Sequence, residues 1–550
     1  MKTKLWRTLS ALLVSTTVLA VTACGADASP GDATGDGGSR PAPGRGGSAV
    51  VRTEGGLVRG SVTDIARVFR GIPYAAPPVG PLRWQDPKPA AAWNGERDAT
   101  KPPPACAQNP GAVPGGSTAE DCLYLNVTVP SGKTTGPKPV VVWIHGGAFV
   151  NGTGSSLDPA RIAQRGDVVV VTINYRLGML GYYGLPGLPG SGTFGLSDQQ
   201  AALSWVQRNI GAFQGDPGNV TLAGESSGAM SSCAQLTSPG AAGLFQKAVL
   251  QSGACNVSWL DNFDERHKKA GAVFRPRSEI EERGRKTATE LGCGGRDPAA
   301  VIDCMRGLPV DKLMPVLGGF VNPAFDTPVL PVDPIDALDK GQFMRVPIIS
   351  GNTRNEATLN AVYYDYPEPV TDRTYDEVLT ETFGPDRAKV DAEYPRSAYG
   401  SAAEAFAAVI TDRKWACTQY DSSRKLARYT PVHQFEFADP KPPSLLPEPT
   451  KMPMGAYHSS DVLSLFDIAG LSVHFTPEQQ QLSDRIIDYW TSFARTGDPN
   501  GPGRPDWPTF RADVNPPYTQ ALAPGASGVA RVDLAAEHHC GFWAGMSRGG

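Results

Sequence analysis

The sequence predicts an α/β fold: a mostly parallel central sheet, flanked by helices, in one large domain. Three observations carry this. Several short runs are hydrophobic throughout instead of alternating, which is the pattern of strands buried on both faces. Helical patterns lie between them. From residue 49 onward no second linker and no repeat of fixed period divides the chain. The strand candidates are Pro139–Ile144 (PVVVWI), Val168–Ile173 (VVVVTI), Val220–Ala223 (VTLA), Lys247–Leu250 (KAVL), Val346–Ile349 (VPII) and Val432–Phe437 (VHQFEF). Ser197–Ile210 reads as a helix, with Ser197 as its N-cap and Ala201, Leu203, Val206 and Ile210 near one face. Leu482–Ala494 reads as another.

Composition supports a large globular chain. The 550 residues carry 51 basic and 55 acidic side chains, a net charge of −4. That balance gives no reason to expect a nucleic-acid partner. Gly and Pro number 62 and 50, too few for a low-complexity chain. A chain of this length buries a large core without covalent staples. Its nine cysteines therefore point to an oxidising compartment.

The N-terminus reads as an address. Residues 1–23 have a basic start (Lys2, Lys4, Arg7) and an apolar stretch from about Leu9 to Val21. That stretch is too short for a permanent membrane span. It ends Val21-Thr22-Ala23-Cys24, which resembles the lipobox of bacterial lipoproteins, where the cysteine is lipidated. The alternative is an ordinary cleavage site with Cys24 as a bystander. Residues 24–48 are rich in Gly, Pro and Ser and lack large apolar side chains, so they read as a flexible tether. The expectation is a protein exported to the outer face of the membrane, held there only by its lipid, or secreted. The main domain is expected over 49–550.

Ligands in α/β folds bind beyond the carboxyl ends of the strands, so the chemistry is expected in the loops there. Gly224-Glu225-Ser226-Ser227-Gly228 follows VTLA. Alone, G-x-S-x-G is a weak signal. Leaving a buried strand and entering helix-competent sequence, it reads as a sharp turn that lifts the Ser226 hydroxyl above the sheet. His145-Gly146-Gly147-Ala148-Phe149 follows PVVVWI. Acyl transfer develops an oxyanion, which needs pre-aimed backbone N–H donors. The candidates are the N–H groups of Gly147, Ala148 and Ser227, with Gly146 supporting the turn. His145 reads as a structural loop residue. A serine needs a base, and the base needs a carboxylate to orient it. Of the seven histidines, His267 falls in a charged, helix-like stretch, His433 in a strand-like run, and His538 and His539 beside Cys540. His458, in a loop before Asp461, is the best base by position. Glu356 follows VPII on a loop and is the acid candidate, although other loop carboxylates stay open on this evidence.

Taken together these motifs resemble the type-B carboxylesterase family of α/β-hydrolases, which includes the cholinesterases and some fungal lipases. The likeness runs from about residue 49 to Trp543. It includes FRGIPYAAPPVGPLRW (69–84), EDCLYLNV (120–127), VWIHGGAF (142–149), NYRLG (174–178), FQGDPGNVTLAGESSG (213–228), GNTRNEAT (351–358), GAYHSSD (455–461) and YWTSFARTGDPN (489–500). The resemblance implies Ser226 as nucleophile, Glu356 as acid and His458 as base. It implies supporting positions at Glu225, Ser252 and Asp461. Two departures stand out. Gln214 stands where Gly is commoner, and Ser227 where Ala is common.

The resemblance also implies disulfides Cys106–Cys122, Cys293–Cys304 and Cys417–Cys540. Cys233 and Cys255 are left open between a fourth bridge and two free buried thiols. No cofactor is implied. A metal at His538-His539-Cys540 is not expected, since adjacent side chains point apart. Cholinesterases carry a tryptophan in the loop closed by the first disulfide, a suitable face for a quaternary ammonium. Here residues 106–122 contain no aromatic side chain. The expected reaction is therefore hydrolysis of small-molecule neutral esters with short to medium acyl chains, through an acyl-serine. A lipase or sterol esterase, and a non-catalytic esterase-like binding protein, remain as alternatives. Oligomeric state is not legible.

Overall fold

The computed structural model describes residues 48–546 apart from 133–135, 264, 296 and 447–448. Residues 1–23, Cys24 and the tether lie outside the described residues, except Ser48, which opens the first strand. The sheet strands are β1 (Ser48–Thr53), β2 (Gly56–Val62), β3 (Ala66–Pro73), β4 (Glu96–Asp98), β5 (Tyr124–Pro130), β6 (Lys138–Ile144), β7 (Val169–Ile173), β8 (Gly215–Glu225), β9 (Lys247–Gln251), β10 (Ile348–Thr353), β11 (Val432–Phe437), β12 (Thr519–Leu522) and β13 (Val529–Val532). They lie in the order β1-β2-β3-β5-β7-β6-β8-β9-β10-β11-β12-β13, with β4 beside β2. From β7 to β12 neighbouring strands run parallel; the two ends of the sheet are antiparallel, apart from β4, which runs parallel to β2.

The parallel block explains the continuous apolar runs. Along β6, Val140, Val142 and Ile144 enter the core on one face, while Val141 and Trp143 enter the core on the other. Helices α1 (Phe194–Asn209), α2 (Ser227–Thr237) and α3 (Cys417–Leu426) send side chains into the first core, and α4 (Pro477–Thr496) into the second. Both faces are thus covered, as a parallel sheet requires.

Three readings are corrected in detail. Ser197 does not cap α1, which begins at Phe194; Ser197 lies inside the helix and bonds Asp86 Oδ1 at 3.1 Å. Phe194 and Leu196 are buried there, and their packing extends the helix by a turn. The second helix reaches from Pro477 to Thr496, because Thr476 and Gln479 form a capping box with Pro477 in the first turn. His267 sits in a turn with φ 64°, not in a helix, its N–H donating to Asn262 Oδ1.

Disulfides join Cys106–Cys122, Cys233–Cys255, Cys293–Cys304 and Cys417–Cys540. Among the described residues no helix is long and apolar enough to cross a membrane.

Candidate active site

Strand order builds the site. In chain order β6, β7 and β8 follow one another, but β6 lies between the other two. The direction of winding therefore reverses at β6, and a crevice opens at the carboxyl ends there. Ile144 at the end of β6 pairs with Gly224 near the end of β8. That register sets the His145–Phe149 loop against the Ser226 turn.

Ser226 has φ 57° and ψ −127°, a conformation that L-residues rarely hold. It joins β8 directly to α2 and is half-buried, whereas Glu225 and Ser227 are buried. Small neighbours are obligatory. A β-carbon at 228 would stand 2.1 Å from the Ile144 carbonyl oxygen, and one at 224 would stand 2.5 Å from the Gly228 backbone. On the facing loop, a β-carbon at 146 would stand 3.0 Å from Ser226 Cβ. Gly147, Ala148 and Phe149 have φ of 107°, 53° and 63°, which curls this segment tightly. Gly147 is held by Val150 and Asn151, whose N–H groups both donate to its carbonyl.

Glu356 and His458 come from loops after β10 and after β11. The two loops are tied together: Asn355 N–H donates to the Ala456 carbonyl, and Ala456 N–H donates to Asn355 Oδ1. Glu356 is fully buried, and its Oε1 accepts the Thr353 N–H at 2.8 Å. Its Oε2 lies 2.5 Å from His458 Nδ1. The other ring nitrogen, Nε2, is 3.2 Å from Glu225 Oε1. Among the described residues no hydrogen bond joins Nε2 to Ser226 Oγ. Such contacts often tighten only when substrate is bound.

The imidazole thus sits among three carboxylates. Burial alone pushes His458 down, but the charges of Glu225, Glu356 and Asp461 outweigh it and raise the ring to about 9. Burial raises Glu225 to about 7, against the attraction of His458. Burial likewise raises Asp461 to about 6, opposed by the Gln251 side-chain amide that it accepts at 2.7 Å. Ser252 is buried with φ 49°, and its N–H donates to the Gly351 carbonyl, linking β9 to β10 behind the serine.

Sequence reasoning missed four contributors. Ser459, at φ 69°, donates its hydroxyl to Glu225 Oε1 at 2.6 Å. Trp415 lays its ring 4.7 Å from that of His458. It belongs to a π-helix, Thr411–Ala416, whose Thr411 Oγ1 accepts the Ala357 N–H. Tyr175 stacks on His145 and donates its hydroxyl to the His145 carbonyl. The fourth is His538. Its ring lies between Asp412 Oδ1 (2.5 Å) and Glu436 Oε1 (2.6 Å), and those carboxylates raise it to about 10 against burial. Glu436 also binds Arg354, two residues before Glu356. Tyr175 and Ser459 lie within the NYRLG and GAYHSSD segments and could have been singled out; Trp415 and His538 carry no local signal. His539 turns to a different partner, Glu393. Among the described residues no cluster of three or more His, Cys, Asp or Glu side chains forms a metal site.

The arrangement offers a strained hydroxyl, curled backbone donors opposite it, and an imidazole oriented by a carboxylate. Known proteins resemble this chain over most of its length. Residues 47–543 match the model of the carboxylesterase family. The chain is 33% identical over 504 residues to carboxylesterase 5A of Canis lupus familiaris, covering 84% of this chain and 82% of that one. It is 34% identical over 510 residues to the medium-chain fatty acyl-CoA hydrolase precursor of Anas platyrhynchos, covering 84% and 87%. It is 34% identical over 482 residues to the para-nitrobenzyl esterase of Bacillus subtilis (strain 168), covering 84% and 93%.

Proposed function

The chain belongs to the carboxylesterase family and hydrolyses carboxylic esters of small molecules, and from that premise we propose how it does so and on what. Ser226 is the nucleophile, His458 the base and Glu356 the group that orients the base. Ser226 Oγ attacks the ester carbonyl carbon as His458 Nε2 takes its proton. The carbonyl oxygen becomes an oxyanion facing the N–H groups of Gly147, Ala148 and Ser227. The bond to the alcohol oxygen then breaks, and His458 returns the proton to the departing alcohol. Water repeats the sequence on the acyl-serine and releases the acid. Gly146, Glu225, Ser252 and Asp461 support these groups. The observation that carries the reading is the 2.5 Å Glu356–His458 contact beside the strained turn at Ser226.

The substrates are neutral esters with short to medium acyl chains. Two facts support this. The Cys106–Cys122 loop offers no aromatic face to a quaternary ammonium. One relative is named for medium-chain acyl groups. The protein is exported and anchored through a lipid on Cys24, a reading supported by the N-terminal pattern and by four disulfides. Recovery of a Cys24→Ser variant in the medium instead of the membrane fraction checks the anchor.

The test of the chemistry is hydrolysis of p-nitrophenyl acetate, butyrate, octanoate and palmitate by protein lacking residues 1–24, beside Ser226→Ala. The expected result is a loss of more than about 10⁴-fold in the variant, with the wild-type optimum at or below octanoate. Equal rates for the two proteins would overturn the assignment. A rate jump only above the solubility limit of palmitate would favour a lipase. A choline ester preferred over a neutral ester of the same acyl chain would overturn the substrate reading.

A further inference from the structure

The loop closed by Cys106–Cys122 offers no aromatic face, but it carries a fully buried amide, Gln108. Its backbone is pinned across the loop: Gln108 N–H donates to the Ser117 carbonyl and Ser117 N–H donates back, each at 2.8 Å. Its side chain reaches out of the loop to Gly152. Gln108 Nε2 donates to the Gly152 carbonyl at 2.9 Å, and Gln108 Oε1 accepts the Gly152 N–H at 2.9 Å. The second hydrogen on Nε2 goes to the Cys106 carbonyl, also at 2.9 Å. These partners fix which way the amide faces, because the two carbonyls can only accept and the N–H can only donate.

Gly152 in turn backs the glycine loop that faces Ser226. A β-carbon at 152 would stand 2.3 Å from His145 Nδ1 and 2.7 Å from the Gly146 carbonyl oxygen. One at 147 would stand 2.1 Å from the Asn151 carbonyl oxygen. Asn151–Gly152 and His145–Gly147 therefore press directly on each other. In a planar peptide the carbonyl of one residue and the N–H of the next point opposite ways, so holding one aims the other. The Gly146 carbonyl lies 2.8 Å from His145 Nδ1, which sets the Gly147 N–H. The Gly147 carbonyl accepts from Val150 and Asn151, which sets the Ala148 N–H. Both holders rest on the Asn151–Gly152 segment, since Asn151 belongs to it and His145 packs on it. Beyond Gly152, Thr153 Oγ1 and Gly154 N–H both donate to Asn174 Oδ1, which anchors the chain just after β7.

We propose that Gln108 is a positioning residue for the oxyanion donors, clamping Gly152 so that the Gly147 and Ala148 N–H groups stay aimed at the reacting carbonyl. The proposal rests on the oxyanion reading given above. Gln108 acts through Gly152, and through that segment on Asn151 and His145. Without the clamp the backbone donors stay in the chain but lose their aim, and aim matters most where charge develops in the transition state.

The test measures kcat and KM on p-nitrophenyl butyrate between about pH 5 and pH 8 for the full chain, Gln108→Met and Gln108→Glu, with Ser226→Ala as control. A trifluoromethyl ketone, which forms an oxyanion adduct on the serine, is the second probe. Gln108→Met keeps the bulk and removes the clamp. Its kcat should fall by about tenfold, below the 10²–10³ typical of removing a whole donor. KM should stay within about twofold, since a uniform binding defect would raise KM instead. Ketone affinity should fall by the same factor as kcat. Gln108→Glu separates aiming from packing. Ionised, the introduced carboxylate faces the Gly152 carbonyl with nothing to donate. Protonated, its O–H donates to that carbonyl while its other oxygen accepts the Gly152 N–H. Burial lifts such a carboxyl above its usual value of about 4.3. The kcat of Gln108→Glu relative to the unaltered chain should therefore recover several-fold as pH falls, while the ratio for Gln108→Met stays constant. If Gln108→Met does not fold, the acid recovery of Gln108→Glu carries the test alone. Folded variants with unchanged kcat, a loss confined to KM, or a Gln108→Glu ratio flat with pH would each overturn the proposal while the Ser226→Ala control stays dead. An active Ser226→Ala would instead overturn the nucleophile reading and this inference with it.

Discussion

The two halves of the parallel block are built from different materials. On one side, β7, β6 and β8 bury mostly apolar side chains, with Glu225 at the tip of β8 the charged exception: Val140, Val141, Val142, Trp143 and Ile144 are buried, as are Val169, Val170, Val171 and Ile173. On the other, β10 and β11 bury Ser350, Asn352, Thr353, His433, Gln434 and Glu436. The apolar half ends in backbone devices, the turn at Ser226 and the curled His145–Phe149 loop. The polar half ends in charged side chains. The difference follows from what each half must hold. Backbone N–H groups are aimed by dense packing, which tolerates little displacement. A buried carboxylate is costly unless neighbours satisfy it. Glu356 therefore sits in a region already organised by ion pairs. Arg354 binds Glu436, Glu436 and Asp412 bracket His538, and Asp412 belongs to the π-helix that holds Trp415 against His458.

The largest effect should come from neutralising the charged half at its tip. Glu356→Gln keeps the shape but loses the charge and inverts the hydrogen bond to His458. A loss in kcat of about 10⁴ is expected, on the scale of the equivalent change in a serine triad. On the apolar half, Gly146→Ala pushes a β-carbon to 2.9 Å from Glu225 Oε2 and 3.0 Å from Ser226 Cβ. That should cost about 10²–10³, the scale of a displaced oxyanion donor. Steady-state rates on one ester compare them. A Gly146→Ala loss greater than that of Glu356→Gln would break the contrast.

Stability separates the halves next. His538→Ala leaves Asp412 and Glu436 buried without their shared cation, and should cost about 3–5 kcal/mol in urea unfolding. Ile144→Val, in the apolar half, should cost about 0.5–1.5 kcal/mol. The pH dependence carries a sign. The folded value of His538, about 10, lies above the ordinary 6.5. Its stabilisation is therefore complete below about 6.5 and lost as pH rises through about 10. Wild type should weaken over that window more than His538→Ala does. Identical alkaline profiles would remove His538 from the account.

This contrast also explains what could be read from the sequence. The apolar half announced itself: PVVVWI, VVVVTI and VTLA fall on β6, β7 and β8, and the Gly-rich motifs after PVVVWI and VTLA lie at the carboxyl ends of their strands. Backbone devices need glycines at fixed local spacing, so they leave a local signature. The polar half was read less well. VPII caught only the start of β10, which continues through Ser350-Gly351-Asn352-Thr353, polar residues buried by contacts with α3 and neighbouring loops. His538 reads in the sequence only as a neighbour of Cys540, with no sign of its partners. Only tertiary structure brings Asp412, 126 residues away, to His538. Ion-pair networks are assembled from distant segments, so no window of sequence contains one. Glu356 and His458 were singled out through strand position and resemblance, not through any signature of the charges around them.

The smallest expected effect is a shift of a pH profile, and it tests the contrast most directly. The base must be neutral to take the serine proton. In the free enzyme the neighbouring carboxylates hold His458 at about 9 despite burial. The ascending limb of kcat/KM reports the free enzyme, so it should lie alkaline of 6.5. Across that range Glu225, at about 7, is increasingly ionised, 3.2 Å from Nε2. Glu225→Gln removes that charge and can still accept from Ser459. The limb should move toward lower pH by about one unit, equivalent to roughly 1.4 kcal/mol. The plateau should fall as well, because the charge that favours the imidazolium also stabilises it beside the tetrahedral intermediate. Tyr175→Phe acts on the other half and changes no charge. It should lower the plateau and leave the limb in place. A limb unmoved by Glu225→Gln, or moved by Tyr175→Phe, would show that the charge around His458 and the holding of the His145–Phe149 loop are not separate functions.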